Sequence, residues 1–216
     1  MFCYNTHMTR DEIIEKLLND YPNPACELNY NSNFSLLVAV ILSAQCTDKR
    51  VNMVTPILFE KYKDVYEMAN ANLKDVESII KPCGFYHNKA KSIIECAKKI
   101  VEEYGGNVPN TREALESLSG VGRKTANVIL SLAFNEQAIA VDTHVFRVSQ
   151  RLGLCEKPKD VFDCEKQLMR NIPKQNWTKM HYILVLFGRY KCKAISPLCD
   201  ECAFKKECRR LNGNTK

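Results

Sequence analysis

Gly120 and Gly122 stand two apart between two helical patterns, and that short interruption constrains the chain more than any other stretch. On one side Ala114, Leu115 and Leu118 give the apolar stripe of a helix over 111–118. On the other, Ala126, Ile129, Leu130 and Ala133 repeat at helical spacing from a start near Arg123. Two glycines let the chain turn sharply and leave backbone N–H groups uncovered. The first turn of the following helix adds unpaired N–H donors and a partial positive charge. The connection is therefore either a plain corner between packed helices or a cradle for a phosphate. Lys124 falls in the first turn of the second helix, close to any phosphodiester held there.

Helical periodicity runs through the rest of the chain. Residues 9–18 open with Thr9 as a cap and Glu12 three places on, followed by the stripe Ile13, Ile14, Leu17 and Leu18. Residues 34–44 are apolar nearly all round, the pattern of a buried helix. Further helices are expected over 48–62, 72–80, 88–104, 142–152, 161–170 and 177–189. Pro82 and the pair Gly105-Gly106 stop two of them. Asp142 stands where it would cap the helix that it opens. No stretch alternates long enough to make a strand, so the fold class is all-α.

Of 216 residues, 45% are hydrophobic and 26% charged, which suits a globular chain with one large domain or two small ones. The net charge of +6 is a mild excess, unevenly spread: residues 188–216 hold eight Lys or Arg against three acids. That end suits a polyanionic partner. The first twenty residues are polar and helical, without the apolar core of a signal peptide. The longest apolar runs, 36–42 and 183–187, are too short to span a bilayer. The reading is a cytoplasmic protein with no membrane partner.

Eleven cysteines in a reducing compartment point to thiols or metal ligands rather than disulfides, and an odd number leaves one over in any full pairing. Cys192, Cys199, Cys202 and Cys208 are spaced C-x6-C-x2-C-x5-C. Four soft thiolates within 17 residues bind tetrahedral zinc or an iron–sulfur cluster. Lys193, Lys205, Lys206 and Glu207 crowd among them and leave little room for a thiol core. The spacing matches neither the two close pairs of most zinc sites nor the bacterial ferredoxin run, so the chemistry leaves both ligands open. Cys3, Cys26, Cys46, Cys83, Cys96, Cys155 and Cys164 show no ligand spacing and read as buried or incidental thiols.

Three features occur together: Leu118-Ser119-Gly120-Val121-Gly122-Arg123-Lys124-Thr125-Ala126, then Val141-Asp142-Thr143-His144-Val145, then the four cysteines just after Gly188-Arg189-Tyr190. They resemble the endonuclease III family of DNA glycosylases, whose hallmarks are a helix-hairpin-helix, a Gly/Pro-rich loop and a catalytic Asp. The resemblance covers nearly the whole chain. It implies a [4Fe–4S] cluster on Cys192, Cys199, Cys202 and Cys208. It implies a helical barrel domain over 25–136 with the hairpin at about 111–134. A second domain would join 1–24 to 137–216 and carry the cluster loop 192–208.

The resemblance also implies an activity: a bifunctional glycosylase and abasic-site lyase of base excision repair. Its substrate would be double-stranded DNA containing oxidised pyrimidines or abasic sites, and the enzyme a monomer associated with the nucleoid. Lys124 would be the nucleophile that forms a Schiff base with the sugar, and Asp142 its carboxylate partner. The like charge of Arg123 and partial burial would favour the neutral amine. Gln45, in Leu42-Ser43-Ala44-Gln45-Cys46-Thr47-Asp48, would fill the space left by a flipped nucleotide. Phe85, in Gly84-Phe85-Tyr86-His87-Asn88-Lys89-Ala90, would wedge the opposite strand. Gly120, Gly122, Arg123 and Thr125 would hold phosphate; Arg189, Lys191 and Lys193 would contact the backbone beside the cluster; His144 would lie near the pocket. The chain departs from the family pattern at Ser119, where proline is common, and at Cys46, often alanine. It departs again over 193–198, which carries a single lysine. An adenine-mismatch glycosylase would want an acid near Gln45 and Cys46, and Ser43-Ala44-Gln45-Cys46-Thr47 contains none. A non-catalytic hairpin DNA-binding protein would have no need of Lys124 together with Asp142.

Overall fold

Eleven α-helices and two short 3₁₀ turns make up all the regular structure among the residues described, 7–213 of a computed structural model. Cys3 lies outside that range. The chain divides into two compact units, Glu27–Glu136 and Met1–Cys26 with Gln137–Lys216.

The first unit is built around α2 (Asn33–Ser43), in which every side chain from Phe34 to Leu42 is buried. A capping box between Ser32 and Ser35 starts this helix, as both hydroxyls accept from the other's backbone N–H. An all-apolar helix must be covered on every side. Here α3 (Asp48–Lys61), α6 (Tyr86–Tyr104) and α8 (Arg123–Ala133) cover it. α5 (Leu73–Ile80) packs on α3 and α6.

α4 (Val65–Ala69) is not foreseen by the pattern. Five residues are too few to show a period. The helix forms because Asp64 Oδ1 accepts from the Tyr66 and Glu67 N–H groups, both at 2.9 Å, while Val65, Met68 and Ala69 are buried in packing with α6. α7 (Arg112–Glu116) stops short of the expected 118, because the Leu118 N–H turns back to Leu115 O at 3.1 Å.

In the second unit α1 (Arg10–Asp20) packs on α11 (Trp177–Tyr190), and α11 packs on α9 (Thr143–Arg151). α10 (Val161–Asn171) adds to α9. Leu17, Val145, Val148, Leu168, Ile183 and Phe187 belong to its core. Gly188 permits the close approach of α11 to α9: a Cβ there would stand 2.8 Å from His144 Cβ. α1 opens with the capping box of Thr9 and Glu12 that the sequence predicts. Cys155 and Cys164 are buried thiols whose sulfurs lie 3.4 Å apart.

Leu17 is fully buried on the inner face of α1. Leu17→Ala is expected to lower the free energy of unfolding by about 2–5 kcal/mol. Urea denaturation checks this as a lower midpoint at an unchanged slope.

Candidate active site

The two glycines of the hairpin do different work. Gly120 has φ +79°, and a Cβ there would stand 2.9 Å from Ser92 Cβ on α6. Both the backbone and the space demand glycine. Gly122 caps α8 in an extended conformation, with no side-chain cap and nothing within 4 Å of where a Cβ would be. The N–H groups of the α8 first turn therefore meet no side chain of their own cap residue. Val121 between the glycines is buried and anchors the turn. Ser119 Oγ donates to Glu95 Oε2 at 2.9 Å, and Lys99 Nζ donates to Ser117 O at 3.2 Å. These bonds tie the hairpin to α6 at the place where a proline would otherwise stiffen it.

Lys124 is exposed in the first turn of α8 and has no hydrogen-bond or ion-pair partner among the described residues. The partial burial expected of it is thus corrected. The reason is local: Gly122 brings no bulk and the apolar face of α8 points to α2. Arg123 and Thr125 beside it are half-buried.

Gln45 and Phe85 share an unusual backbone. Both are non-glycine residues in the left-handed region, with φ of 51° and 46°. Both are exposed, Phe85 at 65%. Such conformations cost about 1–2 kcal/mol each and persist where the surroundings impose them. Gln45 follows the end of α2; Phe85 precedes the start of α6.

In the second unit Asp142 caps α9: its Oδ1 accepts from the N–H groups of His144 and Val145, both at 2.8 Å. Arg147, one turn on, donates to Cys192 O at 3.0 Å and to Gly188 O at 2.8 Å, and its Nη2 lies 3.2 Å from His144 Nδ1. Arg151, a further turn on, donates to Cys192 Sγ at 3.3 Å and to Lys193 O at 2.9 Å. One helix thus carries the Asp142 carboxylate at its start and two arginines that hold the first cysteine.

Cys192, Cys199, Cys202 and Cys208 line one pocket, together with Leu152, Phe187 and Leu198. Among the described residues no group of three or more His, Cys, Asp or Glu is disposed to hold a metal ion. The basic residues around this loop are partly satisfied within it. Lys191 pairs with Glu201 and Lys205 with Asp200, each at 2.7 Å, and these contacts raise both lysine pKa values and lower both acids. Lys193 is exposed and Arg189 half-buried.

Residues 38–174 match the HhH-GPD superfamily of base excision DNA repair proteins. The chain belongs to that superfamily. Endonuclease III of Bacillus subtilis is 50% identical over 91% of this chain and 90% of its own length. Endonuclease III of Escherichia coli K12 is 42% identical over 92% and 94%. A solved non-covalent endonuclease III–DNA complex superposes with a TM-score of 0.91 at 44% identity, over 95% of this chain and 98% of that one. A trapped endonuclease III–DNA covalent intermediate gives the same score at 44% identity, over 97% and 100%. The protein is an HhH-GPD enzyme of the endonuclease III type, a DNA glycosylase and abasic-site lyase of base excision repair. None of its helices is long and apolar enough to cross a membrane.

Sequence reading gave Lys89, Glu95 and Arg151 no role of their own. Lone charged residues on helical faces carry no sign of which backbone carbonyl or side chain they will meet. Gly120→Ala is expected to cost more than the about 1–2 kcal/mol of left-handed backbone alone, because it also meets Ser92. Gly122→Ala is expected to cost under about 1 kcal/mol. Thermal melts of the two variants, side by side, check the contrast.

Proposed function

We propose that this enzyme removes oxidised pyrimidines from double-stranded DNA through a Schiff base on Lys124 and cleaves at the resulting abasic site by β-elimination. The observation that carries the reading is the hairpin itself: the bare N-terminus of α8 at Gly122 with the unpaired, exposed Lys124 in its first turn. A phosphate held by those N–H groups, with Arg123 and Thr125 alongside, sets the sugar next to the amine.

The chemistry runs in order. Lys124 Nζ attacks C1′ as the N-glycosidic bond breaks and the base departs. Loss of a proton from nitrogen and opening of the sugar leave an imine. A proton then leaves C2′ and the 3′ phosphate departs with the electron pair. Water releases the lysine. Asp142 has one oxygen engaged as the α9 cap. Its second oxygen is the group for stabilising positive charge on the sugar and taking the amine proton. Gln45 and Phe85 enter the opened duplex while the lesion is extruded. His144, held by Arg147, belongs beside the pocket.

The two compact units correspond to a hairpin domain and a cysteine domain. The four thiols fit a [4Fe–4S] cluster by the chemistry of the donor set, all sulfur and all facing one pocket. The cluster would supply a fixed scaffold for the loop that presents Arg189, Lys191 and Lys193 to the DNA backbone. The proposed enzyme works as a monomer in the cytoplasm, at the nucleoid.

Borohydride trapping on a duplex with one thymine glycol tests the reading. Wild type is expected to give a covalent adduct on a denaturing gel and Lys124→Ala none. Base release without an adduct would demote Lys124 to a phosphate contact. Asp142→Asn keeps an acceptor for the α9 cap, so it should fold normally while turnover falls by about 10²–10⁴-fold. Melting and single-turnover kinetics on the same preparation separate cap from chemistry.

A further inference from the structure

Lys89 lies on the inner face of α6 and is only 6% exposed. No carboxylate among the described residues pairs with it. Its ammonium donates instead to two backbone carbonyls, Leu42 O and Cys83 O, each at 2.9 Å. Burial holds its pKa below the ordinary lysine value. A buried amine is costly unless hydrogen-bonded, and an apolar side chain would fill this place without that cost. What an apolar side chain could not do is join those two carbonyls.

Their positions matter. Leu42 is in the last turn of α2, where carbonyls have no helical partner and a cation is favoured. Cys83 ends the 3₁₀ turn 81–83 that leads into Gly84 and Phe85. Gln45 lies three residues after the first carbonyl and Phe85 two after the second. The Lys89 amide adds a third bond, donating to Phe85 O at 3.1 Å. Both exposed left-handed residues thus hang from segments that one side chain ties together.

We propose that Lys89 is a positioning residue for nucleotide extrusion: a single buried ammonium that caps α2 and the 81–83 turn together and so sets the spacing of Gln45 and Phe85. The inference rests on the proposed roles of those two side chains in the opened duplex. Without the ammonium the two segments lose their common anchor. The side chains then enter the stack less often, while the chemistry at Lys124 is untouched.

The test compares two substrates. One is a duplex with a paired thymine glycol and a neighbouring 2-aminopurine, which brightens as the stack opens. The other is a single-stranded abasic site, which needs no extrusion. Lys89→Met is expected to slow brightening and base release on the duplex roughly 10–100-fold, the loss that follows a misplacement of about 1 Å. Borohydride trapping on the single strand should stay at the wild-type rate. Equal slowing on both substrates, or on neither, overturns the proposal. If Lys89→Met fails to fold by circular dichroism, Lys89→Gln, which can reach one carbonyl at most, carries the same comparison. Gln45→Ala and Phe85→Ala run alongside. If they slow opening and the Lys89 variants do not, Lys89 is not the anchor. If they open the duplex at the wild-type rate, the assignment of the two intruding side chains falls, and the role of Lys89 with it.

Discussion

A helix with no polar face must be enclosed, and the burial of α2 is what the first unit depends on. Nine consecutive side chains, Phe34 to Leu42, are removed from water. Each large one contributes about 1.5–3 kcal/mol relative to exposure. That drive gathers α3, α6 and α8 around a single axis. The parts that face DNA in the proposed function are then positioned by default. The end of α2 delivers Gln45. The start of α6 delivers Phe85. The hairpin rides on α8, with Gly120 close enough that a Cβ would stand 3.4 Å from Ile41 of α2. Precision in the exposed loops is inherited from the least polar helix in the chain.

The second unit is organised by charge as much as by packing. Arg147 and Arg151 sit one turn apart on α9 and spend their donors on the carbonyl and sulfur of Cys192 and on the carbonyls of Gly188 and Lys193. Burial of Arg147 disfavours its charge, and the carbonyls around it compensate with directed hydrogen bonds. The thiol loop is poor in apolar side chains of its own, with Phe204 as an exception, fully buried against Phe187. Its shape is therefore set by polar ties to α9 and by its sulfurs rather than by a core.

Much of this was legible in the residues. Helical spacing located ten of the eleven helices, and the capping box at Thr9 appears as written. The hairpin could be read because glycine at 120 answers a backbone demand that no other residue meets. Asp142 at the head of α9 could be read as a cap for the same local reason. What was not legible depends on contacts between residues far apart in the chain. The exposure of Lys124 is set by what α8 packs against. The burial of Lys89 is set by Leu42, 47 positions away. The pairing of Lys191 with Glu201 is set by the path of the loop between them. Composition records a basic C-terminal end; it does not record which of those charges are already spoken for.

Lysines that are already paired change how the protein meets a polyanion. Lys191 and Lys205 each enter the encounter with a carboxylate already in place. A phosphate that takes either lysine must displace Glu201 or Asp200, so contact is an exchange of anions rather than a neutralisation. The loop carries its own competitors, tethered at high local concentration. Exchange of this kind gives little affinity and fast reversal. In the proposed function, where this loop meets the DNA backbone, the two acidic side chains would make each contact brief rather than strong.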